Sequence, residues 1–325
     1  KVFEKSYFRP RAAERKLRKE RRSGREKPQT GKEHRNIRVR RQQRVRRITM
    51  LKEKLTLVIN SCDKFSDLWE NHIDILNKSW PDREAETLLV TDKDTTASFE
   101  GVEIFSAGEK KEYPQRMAAA YNILLKGKTD LEPAENGMEY ILITLDDYFP
   151  IKKIENWRLE RLIEIMDAEK LDYIRLFADP NSRKPFKKYK KLYEIPLDVN
   201  YAVNLYQGIW RRDFVEKTLK EAQTIWKYEV SLTPTARELG ARCVLSKGGE
   251  FEILDVIRKG KLLHKASRWL KRNGRELPER EVISRKEEIR IKVFAAGKKI
   301  LPKKLAIAVK NRLRKKGFVF FSDAV

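Results

Sequence analysis

The sequence predicts an α/β fold, a mostly parallel central sheet flanked by helices and carried between two basic termini. Three observations lead there. Between residues 54 and 177, short apolar runs of strand length alternate with segments of helix length, the alternation that a parallel sheet with crossover helices requires. Three of those runs end in polar or acidic clusters, "NSCD" (60–63), "TD" (91–92) and "DDYF" (146–149), at the strand ends where open α/β sheets collect ligands. Charge is also partitioned. The 325 residues carry a net +25, but residues 1–49 hold 20 Lys/Arg against 5 Asp/Glu and residues 266–325 hold 18 against 6. That leaves 35 against 37, or −2, in residues 50–265. The segment able to fold is nearly neutral.

The elements follow in order. "KLTLVIN" (54–60) is a buried strand by composition. "FSDLWENHIDILNKSW" (65–80) places Leu68, Ile75, Leu76 and Trp80 near one helical face, and Pro81 ends the helix. "ETLLVTD" (86–92) and "VEIFS" (102–106) are strands, and "YPQRMAAAYNILLKG" (113–127) is a helix. The strand 139–145 runs into Asp146 and Asp147. A helix over 154–170 and the strand "DYIRLF" (172–177) come next. Beyond 180 a basic, aromatic, proline-punctuated loop leads to an expected strand at 201–210 and a helix over 212–226. Thr233 before Pro234 has the form of a helix N-cap followed by proline at the first helical position.

The termini differ in kind. Residues 1–49 have too few apolar groups to offset chain entropy and are expected to be disordered. Met50 stands directly before the first periodic segment and is a candidate native start, which would make the arm foreign to the native protein. In "KKILPKKLAIAVKNRLRKKG" (298–317), a helix from Pro302 sets Leu305, Val309 and Leu313 in a stripe among lysines and arginines. That pattern suits a helix lying on an anionic membrane surface, or one packing its narrow stripe on the main domain. The domains expected are thus the arm 1–49, a core 50–265 and a basic amphipathic helical tail 266–325. Two cysteines, Cys62 and Cys243, supply neither a disulfide framework nor a zinc ligand set. No apolar run is long enough to span a bilayer. A cytoplasmic protein, peripheral on the inner face of the plasma membrane, is the expectation.

An acidic residue after a strand is often only a turn or cap, but a parallel sheet brings three such ends together. Paired carboxylates there suit Mg2+ or Mn2+, hard cations that share oxygen ligands with substrate phosphates. A phosphatase, a nucleotidyltransferase or a two-carboxylate glycosidase would use such a pair too. Neither a P-loop nor a GxGxxG motif is present, which argues against kinases and dehydrogenases. A nucleic-acid-binding protein acting through its basic termini accounts for the tails but not for clustered acids in the core, where no nucleic acid is expected.

"RMAAAYNILLKGKTDLEPAENGMEYILITLDDYF" resembles the centre of GT-A glycosyltransferases, in particular the inverting, family 2-like enzymes of bacterial surface polysaccharides and lipopolysaccharide. Ala118, Ala119, Ala120 and Asn122 match that family's helix, Glu139, Tyr140 and Ile141 the start of its strand, and Asp146 and Asp147 its metal-binding carboxylate cluster. "YQGIWRRDFVEKTLKEAQTIWKYE" (206–229) resembles the acceptor-side segment, with Gly208, Arg211, Arg212 and Phe214 in the first part and Glu229 at the position of the base. The likeness covers about residues 54–260, with a tyrosine where a third acid is usual and Val230 where an aspartate often stands. The resemblance implies a GT-A, Rossmann-like sheet and transfer of a sugar from a nucleotide-sugar donor to a glycan or glycolipid acceptor. Asn60, Ser61, Asp63 and Asp92 would hold the nucleoside. Asp146 and Asp147 would hold Mn2+ or Mg2+ against the diphosphate, with Arg116 offsetting its charge. Glu229 would be the catalytic base, Trp210 and Trp226 an acceptor platform, and the C-terminal tail a contact with anionic membrane.

Overall fold

The apolar run Leu55–Asn60 forms β1, buried along its whole length, as a strand with neighbours on both sides and cover on both faces must be. The computed structural model in which it is seen describes residues 50–109, 111–126, 139–178, 181–219, 224–300 and 311–312. The expected basic arm, 1–49, lies outside the described residues, and so does most of the expected C-terminal helix, 298–317. β1 pairs in parallel with β2 (Glu86–Thr91) and with β4 (Tyr140–Leu145), and β3 (Glu103–Ser106) adds in parallel to β2. The full sheet has eight strands in the order β3-β2-β1-β4-β8-β6-β9-β7. β8 (Gly208–Arg211) runs antiparallel between β4 and β6 (Tyr173–Arg175). β9 (Cys243–Ser246) is parallel to β6, and β7 (Leu192–Glu194) closes the edge antiparallel to β9. Six of the eight strands therefore point one way, and the expected mostly parallel sheet is present.

Successive strand residues face opposite sides, and the core divides accordingly. Leu55, Leu57 and Ile59 of β1 face α1 (Trp69–Ser79) and α3 (Asn156–Glu169), through Trp69, Ile73, Leu76, Leu159, Ile163 and Met166. Val58, with Ile141 and Ile143 of β4, faces α2 (Tyr113–Lys126) and α5 (Ile225–Glu238), through Met117, Tyr228, Leu232 and Ala236. Helices thus cover both faces. A further cluster joins Leu68, Ile75 and Phe149 to Ala266 and Leu270 of α6 (His264–Arg272), so the packed core runs beyond residue 265. A last helix, α7 (Arg285–Ile300), follows.

Two stretches differ from the sequence expectation, each for a local reason. The strand expected over 201–210 begins only at Gly208. Residues 201–207 form turns: Tyr201 sits at φ 60°, and the Asn204 side chain bonds the Tyr201 carbonyl (2.9 Å) and the Tyr206 N–H (3.1 Å). The side chain competes with the ladder for the backbone, while burial of Ala202, Val203 and Leu205 gives the segment its strand-like texture. The helix expected over 212–226 stops early, as α4 (Arg212–Thr218). The next helix, α5, is capped by Thr224, whose hydroxyl accepts from the Lys227 N–H (3.4 Å). Pro234 therefore lies inside α5 rather than at a helix start. The carbonyl it leaves without a donor belongs to Val230, at an exposed position. Thr233 is no cap; its hydroxyl holds the backbone of Val203 at 3.1 and 3.2 Å.

β8 carries a close approach that only glycine permits. A Cβ on Gly208 would meet Tyr173 Cε2 at 2.6 Å and the Ile174 carbonyl oxygen at 3.1 Å. The Tyr173 ring is itself pinned against Trp210 (4.3 Å between centroids). Gly208→Ala should lower stability by about 1–3 kcal/mol, the usual cost of overpacking. Urea unfolding followed by tryptophan fluorescence would read it as a lower midpoint at unchanged m-value.

Candidate active site

In the strand order β3-β2-β1-β4, the chain leaves β1 toward β2 on one side and returns to β4 on the other. The carboxyl ends of β1 and β4 therefore flank the point where strand order reverses, the crevice in which open α/β sheets bind ligands. Asn60 ends β1 opposite Leu145, and Asp146 follows. The Asp146 N–H donates to the Asn60 carbonyl (3.1 Å) and the Ser61 N–H to the Val90 carbonyl of β2 (2.8 Å). Across the crevice the Ser61 hydroxyl donates to the Asp146 carboxylate. Trp69 Nε1 donates to Ser61 Oγ at 2.6 Å. Behind them His72 Nδ1 donates to the Asp146 carbonyl at 2.8 Å, and burial drives its pKa down to about 4. His72 is thus a neutral structural bracket.

After Ser61 the chain enters a 3-10 helix, Asp63–Leu68. The Asp63 N–H donates to Asp92 Oδ1 at 2.7 Å, which ties the segment after β1 to the end of β2. Lys93 pairs with Asp63 (3.3 Å) and Glu109 (3.7 Å). Cys62 lies within the fields of Asp146, Asp92 and Arg116; burial first, then the two aspartates, push its thiol pKa up. Asn60, Ser61, Asp63, Asp92 and Asp146 are thereby gathered at the ends of β1, β2 and β4, while Arg116 bonds the Lys111 carbonyl (3.0 Å) and bears on Cys62 through its charge. The 3-10 helix is clamped from far along the chain. Arg280 holds both oxygens of Asp67 (2.5 and 2.7 Å) and the Lys64 carbonyl (2.7 Å), with its guanidinium 4.4 Å from the Phe65 ring centre.

Asp146 is only 7% exposed. Burial lifts its pKa to about 7, against the opposing hydrogen bond from Ser61. For Asp147, burial and then the charges of Asp146 and Asp255 push the carboxyl well above its usual range. Its Oδ1 is buried without a hydrogen-bond partner. Asp255 arrives because β5 (Tyr148–Pro150) pairs antiparallel with β10 (Ile253–Asp255), setting it opposite Tyr148. It is held by Arg258 at 2.5 Å. Among the described residues no group of three or more His, Cys, Asp or Glu is arranged to hold a metal ion. Two adjacent carboxylates, one with an orphaned oxygen, instead suit a hard cation that takes its remaining ligands from substrate and water.

Glu229 projects from α5. The Leu205 N–H donates to its Oε1 at 3.3 Å, and burial raises its pKa. The Leu205 N–H that Glu229 holds is next in the chain to Tyr206, whose ring stacks on Tyr148, which brings Glu229 toward the Asp147 side of the crevice. Tyr148 is the residue where a third acid is usual. Its ring stacks on Tyr206 (5.4 Å), which stacks on Phe177 (4.3 Å). Trp226 is 49% exposed and sits one turn before Glu229. Trp210 is a correction to the expected acceptor platform. It is 0% exposed and wedged between Tyr173 and Phe214, because β8 lies inside the sheet with α4 and α5 over that face. It is a core residue.

Sequence reading missed Asp255, Arg258, Tyr206 and Arg280. The first two depend on a pairing between strands about a hundred residues apart, for which no local signal exists. Arg280 falls in the stretch read as a basic tail.

No protein-family model matches the chain, and no curated protein matches it. Several solved structures are similar over part of it. TarS 1-349 of S. aureus is 14% identical, with 61% of this chain and 59% of that one covered and a TM-score of 0.38. The mannosyltransferase PcManGT of Pyrobaculum calidifontis, in complex with GDP-Man and Mn2+, is 12% identical over 64% of this chain and 58% of its own, at 0.41. Mannosyl-3-phosphoglycerate synthase of Rubrobacter xylanophilus is 15% identical over 71% and 79%, at 0.39. The chain spans just under three-fifths of the length of the first two.

The raised carboxyls set a pH dependence. A carboxyl with a pKa of about 7 when folded and ~3.9 when unfolded keeps its proton longer in the folded state, so stability falls as pH rises between those values. The metal-free protein should therefore lose stability on the order of a few kcal/mol between about pH 4 and pH 7, read as a falling melting temperature. Asp146→Asn should flatten the drop. Mn2+ should stabilise the wild type more at the higher pH, since it favours the ionised pair. Scanning fluorimetry across the pH range checks all three.

Proposed function

We propose that the protein is a glycosyltransferase that moves a sugar from a nucleotide-sugar to an acceptor hydroxyl. The observation that carries the proposal is the hydrogen bond from Ser61 to Asp146 across the β1/β4 crevice, with Glu229 holding the Leu205 N–H beside Tyr206, whose ring stacks on Tyr148 next to the acidic pair. In this reading the crevice brings together nucleoside contacts, the acidic pair and a buried base.

The nucleoside is held along Asn60, Ser61, Asp63 and Asp92. The donor diphosphate lies against Asp146 and Asp147, with Arg116 offsetting its charge. Mn2+ or Mg2+ bound by the two aspartates would neutralise charge on the departing diphosphate as a Lewis acid. Glu229 accepts the proton of the acceptor hydroxyl as that oxygen attacks the anomeric carbon from the face opposite the leaving group, which inverts the configuration. Burial of Glu229 raises its basicity toward neutral pH, where general-base catalysis is most effective. Trp226, exposed one turn away, is placed to meet the acceptor. An acceptor of surface polysaccharide or lipopolysaccharide synthesis fits the resemblance of the motifs, as does a cytoplasmic enzyme touching the membrane through its basic tail. No described helix is long and apolar enough to cross a membrane.

Incubation with a panel of nucleotide-sugars and Mn2+ tests the proposal. At least one should yield a nucleoside phosphate and a free or transferred sugar. Glu229→Gln should lower turnover about 10²- to 10⁴-fold, the usual worth of a general base, and leave donor affinity nearly unchanged. Release of pyrophosphate from a nucleoside triphosphate and a sugar phosphate would mark a nucleotidyltransferase instead. A Glu229→Gln variant with full turnover would remove the base assignment.

A further inference from the structure

We propose that the hairpin preceding β7 is a docking surface for an anionic lipid bilayer. The observation is a run of six cations without an acid, Arg183, Lys184, Lys187, Lys188, Lys190 and Lys191, every one exposed. Lys184 pairs with Glu194 and Lys187 with Glu169. Among the described residues, Arg183, Lys188, Lys190 and Lys191 take part in no salt bridge. Lys247 adds to the same surface, with its ammonium 3.8 Å from the centre of the Tyr193 ring.

The hairpin is built rather than loose. Phe186 is buried, and its N–H donates to the Leu192 carbonyl (2.9 Å). The Glu194 N–H reaches the Lys184 carbonyl (2.9 Å) and the Lys247 N–H the Lys191 carbonyl (2.9 Å). Tyr189 anchors the tip to Glu169 through its hydroxyl (2.8 Å). Two lysines, Lys187 and Lys191, occupy left-handed backbone conformations at φ 48° and 68°. Glycine would adopt these without steric cost. Carrying lysine there keeps charge where the backbone alone calls for glycine.

Topology sets the hairpin beside the edge strand β7, away from the β1/β4 crevice. β7 is antiparallel to β9, with Leu192 opposite Ser246, so residues before Leu192 lie past the carboxyl end of β9. β9 is parallel to β6, which points the same way as β4. The backbone just before Leu192 therefore lies at the sheet edge that carries Asp146, four strand spacings away, or about 20 Å, while the Lys187 and Tyr189 side chains reach Glu169 at the end of α3. Guarding of the edge strand against aggregation does not account for them. They precede β7, and the strand itself is Leu192, Tyr193 and Glu194.

Chemistry favours lipid headgroups over nucleic acid. Five of the six cations are lysine, a mobile point charge, rather than the arginine fork that reads phosphates in fixed geometry. Mobile anionic lipids gather under such charges without a defined site, each cation adding about fivefold to binding near a charged surface. Tyr189 and Tyr193, both half-buried beside the lysines, are of the residue type that settles at the headgroup level. This proposal does not depend on the transferase assignment.

Flotation of the full chain with vesicles of about 30 mol% phosphatidylglycerol in phosphatidylcholine tests it. Lys188→Gln/Lys190→Gln/Lys191→Gly should lower the partition coefficient by more than about tenfold at low salt. Lys52→Gln/Lys54→Gln/Lys78→Gln, which removes the same charge beside the start of β1 and the end of α1, should change it less than about twofold. Lysine acetylation of the wild type, read by mass spectrometry, should show Lys188, Lys190 and Lys191 protected by these vesicles, a measurement that no folding defect can confound. Equal losses in the two triple variants would overturn the proposal, as would unprotected hairpin lysines. A loss confined to binding of an RNA oligonucleotide would also overturn it, in favour of a nucleic-acid surface.

Discussion

A hydrogen bond between a serine hydroxyl and a buried carboxylate links the carboxyl ends of the two central strands of this sheet. Ser61 follows β1 and Asp146 follows β4, and the bond between them continues the β1/β4 pairing past Asn60 and Leu145. Most of the neighbouring features support it. Trp69 holds the serine oxygen from α1, and His72, one turn on, holds the aspartate backbone. Asp92 fixes the start of the 3-10 helix, and Arg280 clamps its far end. Helices on both faces keep β1 and β4 in register, so the two strand ends meet.

The arrangement is costly without a ligand. Taking an ionised carboxylate out of water costs several kcal/mol, and a hydrogen bond to a charged group returns only about 1.5–3 kcal/mol. The balance is visible in Asp146, whose proton stays on to about pH 7 despite Ser61, and more so in Asp147, whose oxygen has no donor at all. A cation, or a cation with a diphosphate, would reverse that balance under the function proposed above, the pattern expected where polar groups are buried for function. Glu229 belongs to the same economy of burial, since the desolvation that raises its pKa also fits it to accept a proton.

Much of the sheet was legible in the sequence because buried parallel strands read as continuous apolar runs, and "LTLVIN" and "YILITL" could hardly be anything else. The strand-end acids were legible for the same reason, as charges directly after such runs. The rest depended on tertiary neighbours. Whether Trp210 is a platform or core turns on β8 lying between β4 and β6, which no local pattern reveals. Asp255 reaches Asp147 only through the pairing of β5 with β10. Pro234 read as a helix start because Thr233 precedes it, whereas it lies inside α5 where the carbonyl it orphans, that of Val230, is at an exposed position. Local rules described Thr233 well as a cap, yet its hydroxyl serves the backbone of Val203.

The central claim is that the β1/β4 crevice holds a nucleoside diphosphate group through Asp146. Isothermal titration of nucleoside diphosphates with Mn2+ present, into the wild type and into Asp146→Asn, tests it most directly. At least one nucleotide should bind the wild type and lose about tenfold or more in affinity on the substitution, a difference of ~1.4 kcal/mol. Equal binding to both proteins, or binding to neither, would contradict the claim.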